Sequence, residues 1–128
     1  MATIRREIHL NADAGRVWEA LKDFGAVDTR LVPGFVARCE IDGEVRTVTF
    51  ANGSVAREEL VATDDASRRL VYTIRSERLK HHNASAEVIA EGRGCRFVWT
   101  TDILPHEIAP YIGSQMDLGV EAMKRNFG

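Results

Sequence analysis

Hydrophobic and polar residues follow two different periods along this chain, and the two periods divide it into strands and helices. Helical spacing of apolar residues appears early, after Asp13, and again from His106 to Phe127. Between these segments lie short alternating runs separated by glycine-containing turns, with no long helical pattern among them. Consecutive strands joined by short turns pair antiparallel, so this order predicts a single α+β domain over residues 1–128.

Seven strands are predicted, and turn residues separate most of them. The first extends from Ile4 to Leu10, and a turn at Pro33-Gly34 precedes the other six. Asp42-Gly43, Asn52-Gly53 and Gly92-Arg93-Gly94 are typical hairpin turns, because glycine and asparagine adopt positive φ at little cost. The six later strands are predicted at Phe35 to Ile41, Glu44 to Phe50, Ser54 to Thr63, Arg69 to Glu77, Asn83 to Glu91 and Cys95 to Leu104.

Two short helices and one long helix complete the pattern. Asp13 is the expected N-cap of the first, and Gly25 is expected to end it in the left-handed conformation. A further helical turn is predicted from Val27 to Leu31. The C-terminal helix, about 22 residues and about 33 Å long, would span a small domain. Its apolar stripe contains Ile108, Ile112, Met116, Gly119, Val120, Met123 and Phe127.

Strand alternation indicates which side chains face this long helix. Alternate residues of a strand point to opposite faces, so each strand offers one apolar set to the interior. A curved sheet packed on one helix would enclose a pocket between them. The inward residues are predicted to be Phe35, Ala37, Cys39 and Ile41, then Leu70, Tyr72 and Ile74, and finally Phe97, Trp99, Thr101 and Ile103.

The hairpin around Asn52-Gly53 admits two registers. A two-residue loop would place Val48 and Phe50 on the same face as Val55, Arg57 and Glu59. A three-residue loop, Ala51 to Gly53, separates apolar from polar residues better. It gathers Val48, Phe50, Ala56, Leu60 and Ala62 on the inner face.

The three-residue loop also pairs Arg46 with Glu58 and sends both inward. Buried charges are costly unless they satisfy each other or a ligand, so an inward pair indicates a functional pocket. In the alternative register, both charges are solvated on the surface.

Composition and charge narrow the possible functions. The chain is 45% hydrophobic and 28% charged with a formal net charge of −2, so it offers no basic field for nucleic acid. It shows no signal peptide and no apolar run long enough to insert in a membrane, which predicts a cytoplasmic protein.

Cys39 and Cys95 lack metal-site spacing and are expected to be small buried hydrophobes. No cofactor motif and no indication of oligomeric state are present.

The order of elements resembles that of the helix-grip fold of the START-like, or SRPBCC, superfamily, and several short sequence segments resemble segments of its members. These segments are VWEALKDFG, GEVRTVTF, REEL, RLVYTI and FVWTTDILP. They are most similar to the bacterial polyketide cyclase/dehydrase and lipid-transport branch, and the resemblance covers nearly the whole chain. It implies a seven-stranded antiparallel sheet wrapped around the C-terminal helix, with two short helices after the first strand and a pocket for a hydrophobic molecule.

A more distant resemblance to the plant abscisic acid receptors covers residues 46–83, through VRTVTF, ANG, REEL and ERLKHHN. The arginine and glutamate at the positions of Arg46 and Glu58 line the receptors' pocket. The resemblance also marks Ala51 to Ser54 as a gate-like loop and Glu77 to Lys80 as its facing latch. This chain has the shorter ANGS in place of the receptors' gate, and no ligand-anchoring lysine among residues 31–35, so hormone binding is not implied.

Two functions from different classes follow from these residues. The first is binding of a lipid, polyketide or aromatic-like molecule, without a cofactor or metal. The alternative is a cyclase or dehydratase in which Glu58, beside Arg46, acts as a base and His82 or Tyr72 as an acid. His81 and His82 point to opposite faces of a strand, so they would not chelate one ion together. The residues expected to line the pocket are Arg46, Glu58, Tyr72, His82, Trp99, Ile112 and Met116.

Overall fold

A computed structural model describes residues 1–128 and contains one seven-stranded sheet in the order β1-β7-β6-β5-β4-β3-β2. Every neighbouring pair of strands is antiparallel, which confirms the predicted fold class. The first and last strands lie side by side, with Ala2 opposite Ile103 and Leu10 opposite Cys95. The strands are β1 (Ala2–Leu10), β2 (Val36–Asp42), β3 (Val45–Phe50), β4 (Val55–Asp64), β5 (Arg69–Ile74), β6 (His81–Glu91) and β7 (Gly94–Leu104).

The helical segments lie where the apolar spacing predicts them. Helix α1 spans Ala14–Lys22, a π-helical turn covers Val27–Leu31, and helix α2 spans Ala109–Phe127. The Asp13 carboxylate caps α1 by accepting hydrogen bonds from the backbone N–H groups of Gly15 and Arg16. A 3₁₀ turn at Phe24–Ala26 follows α1, and another at His106–Ile108 precedes α2. No helix is both long enough and apolar enough to cross a membrane.

The predicted role of Gly25 is wrong. Helix α1 ends at Lys22, and Gly25 is not among the residues with positive φ. Its small size matters instead, because a Cβ atom there would lie 3.2 Å from the Ile41 side chain of β2. Close packing of the 3₁₀ turn against the sheet therefore accounts for this glycine.

The three-residue loop is confirmed. Phe50 and Ser54 close the hairpin with a 2.8 Å backbone hydrogen bond, and Gly53 has a φ of 90°. Arg46 lies opposite Glu58 and Val48 lies opposite Ala56. The register that separates apolar from polar residues better is therefore the one observed, and it sends both charges inward.

Two irregularities correct the predicted inner faces. The pairing of β2 with β3 shifts between Val36 and Arg38, so Val36 is buried while Ala37 is exposed. The pairing of β4 with β5 shifts between Leu60 and Ala62, which leaves Ala62 opposite Val71 and exposed. An inserted residue reverses the alternation of inward and outward side chains beyond a bulge. The predictions that Ala37 and Ala62 point inward were wrong for this reason. Ile41 is half exposed near the end of edge strand β2.

One end of the interior is closed by tight packing between β1, β7, α1 and α2. Leu10, Val17, Cys95 and Ala122 there have no exposed surface, and we call this set the closed end. Gly94 shows how tight the packing is, since a Cβ atom would lie 2.2 Å from the Leu10 carbonyl oxygen. The closed end has no room for a ligand.

Candidate functional site

A cavity of about 100 Å³ lies between the sheet and α2, and none of the closed-end residues lines it. Its wall is mostly apolar and includes Leu21, Val48, Phe97 and Met123. The half-buried residues of its wall include Phe35, Phe50, Ile74, Trp99 and Ile112, and we call this set the cavity end. A concave apolar wall with a few polar groups is the usual form of a small-molecule site.

The structure brings all seven predicted site residues to this cavity. Arg46, Glu58, Tyr72 and His82 come from β3, β4, β5 and β6. Trp99 comes from β7, and Ile112 and Met116 from α2. The predicted gate and latch, residues 51–54 and 77–80, are not among the lining residues, and their roles stay predictions.

Arg46 and Glu58 form a buried ion pair on the cavity wall. Nε and Nη2 of Arg46 each lie 2.8 Å from Oε1 of Glu58, and the two residues are only 6% and 5% exposed. Strand pairing places them opposite each other, so the contact needs no long reach. They are the only two residues on the wall that carry a full charge, which makes the wall neutral overall.

The guanidinium of Arg46 is held from three sides. Nη1 donates a 3.1 Å hydrogen bond to the Phe24 carbonyl oxygen, and Cζ lies 3.9 Å from the centre of the Phe24 ring. The Tyr72 ring lies farther away, at 5.3 Å. These contacts compensate the loss of water around the cation and keep it in one orientation.

His82 is a neutral side chain with one nitrogen already in use. Its Nδ1 accepts a 2.9 Å hydrogen bond from the backbone N–H of Ile74, which places its own proton on Nε2. Burial, together with the nearby His81, lowers the pKa of His82 to about 4. At neutral pH this imidazole therefore has an N–H donor but no positive charge.

Tyr72 is also held in its neutral form. Burial, with the charge of Glu58, raises the pKa of its phenol well above the ordinary value, while Arg46 and Trp99 act in the opposite direction. The Tyr72 ring lies 5.9 Å from the His82 ring. Both side chains therefore present protonated, uncharged groups at neutral pH.

Two polar atoms in this region are buried without a hydrogen-bond partner. They are the indole nitrogen of Trp99 and the amide oxygen of Gln115, and both residues line the cavity. Buried polar groups are nearly always paired, so these two atoms are groups on the wall that a bound molecule could hydrogen-bond. Sequence reasoning missed Gln115, since a lone glutamine on α2 looks like an ordinary solvated position.

Gly119 shapes the cavity through the side chain that it lacks. A Cβ atom at this position would lie 2.8 Å from Cζ3 of Trp99 and 3.3 Å from the Phe35 ring. The helical stripe in the sequence already included Gly119, but its effect on the Trp99 ring depends on the approach of α2 to β7.

The described residues contain no group of histidine, cysteine or acidic side chains placed to hold a metal ion. Cys39 and Cys95 are free, and burial raises the pKa of each thiol. The only buried carboxylate on the cavity wall is Glu58, and it is already bonded to Arg46.

Comparisons with known proteins agree with this architecture. A START superfamily protein from Mycobacterium smegmatis has a TM-score of 0.79 and 11% identity, covering 98% of this chain and 96% of that chain. Norcoclaurine synthase from Thalictrum flavum, in complex with dopamine and hydroxybenzaldehyde, has a TM-score of 0.71 and 15% identity, covering 97% and 84%. A comparison with curated protein sequences gives no match.

Two further findings concern the family. A solution NMR structure from Thermobifida fusca is 30% identical, with a TM-score of 0.78, and covers 97% of this chain and 91% of that chain. The family model described as polyketide cyclase / dehydrase and lipid transport matches residues 1–128. This chain therefore belongs to the polyketide cyclase/dehydrase and lipid-transport family and has its START-like helix-grip fold.

Proposed function

We propose that this protein binds an apolar small molecule in the cavity between the sheet and α2. The observation that carries the proposal is the cavity itself, which is apolar over most of its wall and lies beside an otherwise close-packed interior. Burial of apolar ligand surface would supply most of the affinity, at about 25 cal/mol per Å². The few polar groups would orient the ligand.

The relatives support this proposal at the level of the fold. Norcoclaurine synthase, which has the same fold, has a structure in complex with dopamine and hydroxybenzaldehyde, so a protein of this fold can bind single-ring molecules. The family description names both chemistry on polyketides and lipid transport. A hydrophobic ligand is common to these activities.

Binding is better supported than a cyclase or dehydratase reaction. The alternative needs an acid beside the Glu58 base, and both candidates are poor proton donors. His82 is uncharged at neutral pH, and burial raises the pKa of Tyr72. Efficient general acids have pKa values near the working pH.

The test is release of the ligand from the purified protein. Native mass spectrometry, followed by extraction under denaturing conditions, should reveal a bound apolar molecule in the wild type and none in Ile112→Trp, whose larger ring fills the cavity end. Leu118→Trp is the matched control, because Leu118 lies on the same helix, is 47% exposed and does not line the cavity.

Absence of any released molecule, together with failure to bind a panel of lipids and aromatic compounds, would contradict the proposal. Conversion of added aromatic ketones to cyclised or dehydrated products would instead favour the enzymatic alternative.

A further inference from the structure

We infer that the cavity selects an uncharged, single-ring molecule with a hydrogen-bond acceptor, and that Trp99 and Glu58 set this selectivity. The inference rests on the function proposed above and makes its ligand class more specific. Three features of the cavity carry it, namely its size, its net charge and its unpaired donor.

Size restricts the ligand to about one ring. The cavity volume is about 100 Å³. Pockets for drug-sized molecules have volumes of about 300–1,000 Å³, whereas a buried cavity of about 150 Å³ holds benzene. The cavity is smaller than the one that holds benzene, so a single ring with a short substituent enters only if the half-buried residues at the cavity end move slightly, and a larger ligand is excluded.

Charge excludes a carboxylic acid. Arg46, the only cation on the wall, already forms an ion pair with Glu58, to which its Nε donates a hydrogen bond, and donates another to the Phe24 carbonyl. A ligand carboxylate would lose its water and meet Glu58 as a like charge, with no free cation to compensate. Glu58 therefore prevents anionic ligands from binding in the cavity and restricts it to neutral ones.

The unpaired donor selects an acceptor on the ligand. The chain has two tryptophans, and Trp18 donates its indole N–H to Asp65 at 2.8 Å. The indole N–H of Trp99 is buried and has no partner. A ligand carbonyl oxygen would satisfy the indole N–H.

The experiment compares three single-ring probes of similar size by isothermal titration calorimetry at neutral pH, using protein that mass spectrometry shows to be ligand-free. Acetophenone is neutral and has an acceptor, ethylbenzene is neutral and has none, and benzoate is anionic. We expect the wild type to bind acetophenone about fivefold to tenfold more tightly than ethylbenzene, the effect of one hydrogen bond. Benzoate should not bind measurably.

Two variants assign the selectivity to the named residues. Trp99→Phe keeps an aromatic ring but removes the donor. Its affinity for acetophenone should therefore fall about fivefold to tenfold, to the level of its affinity for ethylbenzene. Trp18→Phe is the matched control, since Trp18 does not line the cavity and should leave both affinities unchanged. Glu58→Gln keeps an acceptor for Arg46 but frees its positive charge, so benzoate should gain at least about tenfold in affinity.

Equal binding of acetophenone and ethylbenzene, or wild-type binding of benzoate as tight as that of acetophenone, would overturn the inference. Binding of none of the probes would do so too. If a larger lipid is released from the wild type in that case, the proposed function stands without this ligand class. If nothing is released and nothing binds, both proposals fall. Should Glu58→Gln not fold, the wild type and Trp99→Phe still decide between these outcomes.

Discussion

The closed end and the cavity end belong to the same sheet and the same helix but differ in how completely they are filled. Leu10, Val17, Cys95 and Ala122 at the closed end have no exposed surface. Trp99 and Ile112 at the cavity end are half-buried around a volume of about 100 Å³. Both ends are apolar, so hydrophobicity alone does not distinguish a core from a binding site.

Two features distinguish the cavity end from the closed end. Arg46 and Glu58 place charges on two adjacent inner strands, where apolar side chains would otherwise meet. Gly119 leaves a space on α2 that the Trp99 and Phe35 rings approach. The comparison indicates that a charge pair and a missing side chain keep this part of the interior open.

The largest expected effect comes from breaking the ion pair. Arg46→Met should lower the free energy of unfolding by about 3–5 kcal/mol, because it leaves a buried carboxylate without a partner. Arg46→Met combined with Glu58→Leu should be nearly neutral, since no charge then remains buried. Urea unfolding of the wild type, both single variants and the double variant gives the coupling energy.

The matched control for this cycle is the exposed pair Arg38 and Glu40 on β2. The same substitutions there should change stability little, because water screens exposed pairs. Additive effects below about 0.5 kcal/mol at Arg46 and Glu58 would contradict a buried, coupled pair.

Truncation of one apolar side chain at each end tests the difference in packing. Leu10→Ala should lower the free energy of unfolding by about 3–4 kcal/mol, because it creates a void among fully buried neighbours. Ile112→Ala should cost only about 1 kcal/mol, because its side chain is half-buried at an existing cavity. Chemical unfolding measures both values, and similar losses at the two sites would show that the cavity end is packed as tightly as the closed end.

The pH dependence of stability tests the neutral state of His82. Its ordinary pKa of 6.5 applies in the unfolded chain and falls to about 4 on folding, so the unfolded state binds the proton first as the pH falls. The contribution of His82 is fully present above about pH 6.5 and is lost as the pH falls toward 4, by about 3 kcal/mol in total. Unfolding curves between these two pH values measure it.

His82→Asn should flatten this dependence while keeping an acceptor for the Ile74 N–H. The control is His106→Asn, since His106 is exposed and should leave the dependence unchanged. An unaltered pH profile in His82→Asn would mean that other groups account for acid sensitivity.

The smallest change in stability is expected at Gly119, together with a clear change in binding. The higher helix propensity of alanine should raise the free energy of unfolding of Gly119→Ala by about 1 kcal/mol. Displacement of the Trp99 ring by the new Cβ should offset part of this increase. The ring should move into the cavity and abolish acetophenone binding measured by calorimetry. Gly113→Ala on the same helix is the control, because its Cβ would meet the flexible end of Arg6 and make an ordinary 3.9 Å contact with Ile4. Undiminished binding in Gly119→Ala would show that this glycine does not determine the cavity volume.

Much of the fold could be predicted because it depends on short windows of sequence. The period of two, the period of 3.6 and the Asn52-Gly53 loop each involve neighbouring residues, and together they predicted the strands, the helices and the pairing of Arg46 with Glu58. Of the seven expected pocket residues, Ile112 and Met116 belong to the helical stripe and the other five to predicted strands, and all seven line the cavity. Local backbone chemistry was sufficient for these features.

Other features depend on contacts between distant segments, and only the tertiary structure decided them. The bulges in β2 and β4 reverse the faces of Ala37 and Ala62, and no turn residue marks them in the sequence. The unpaired indole of Trp99 and the protonation of His82 depend on which groups the folded chain brings beside them. The sequence by itself determined the secondary structure and the register of the β3–β4 hairpin, because periodicity and loop chemistry involve neighbouring residues. The volume, charge balance and unpaired donor of the cavity exist only once β3 to β7 and α2 surround the same space.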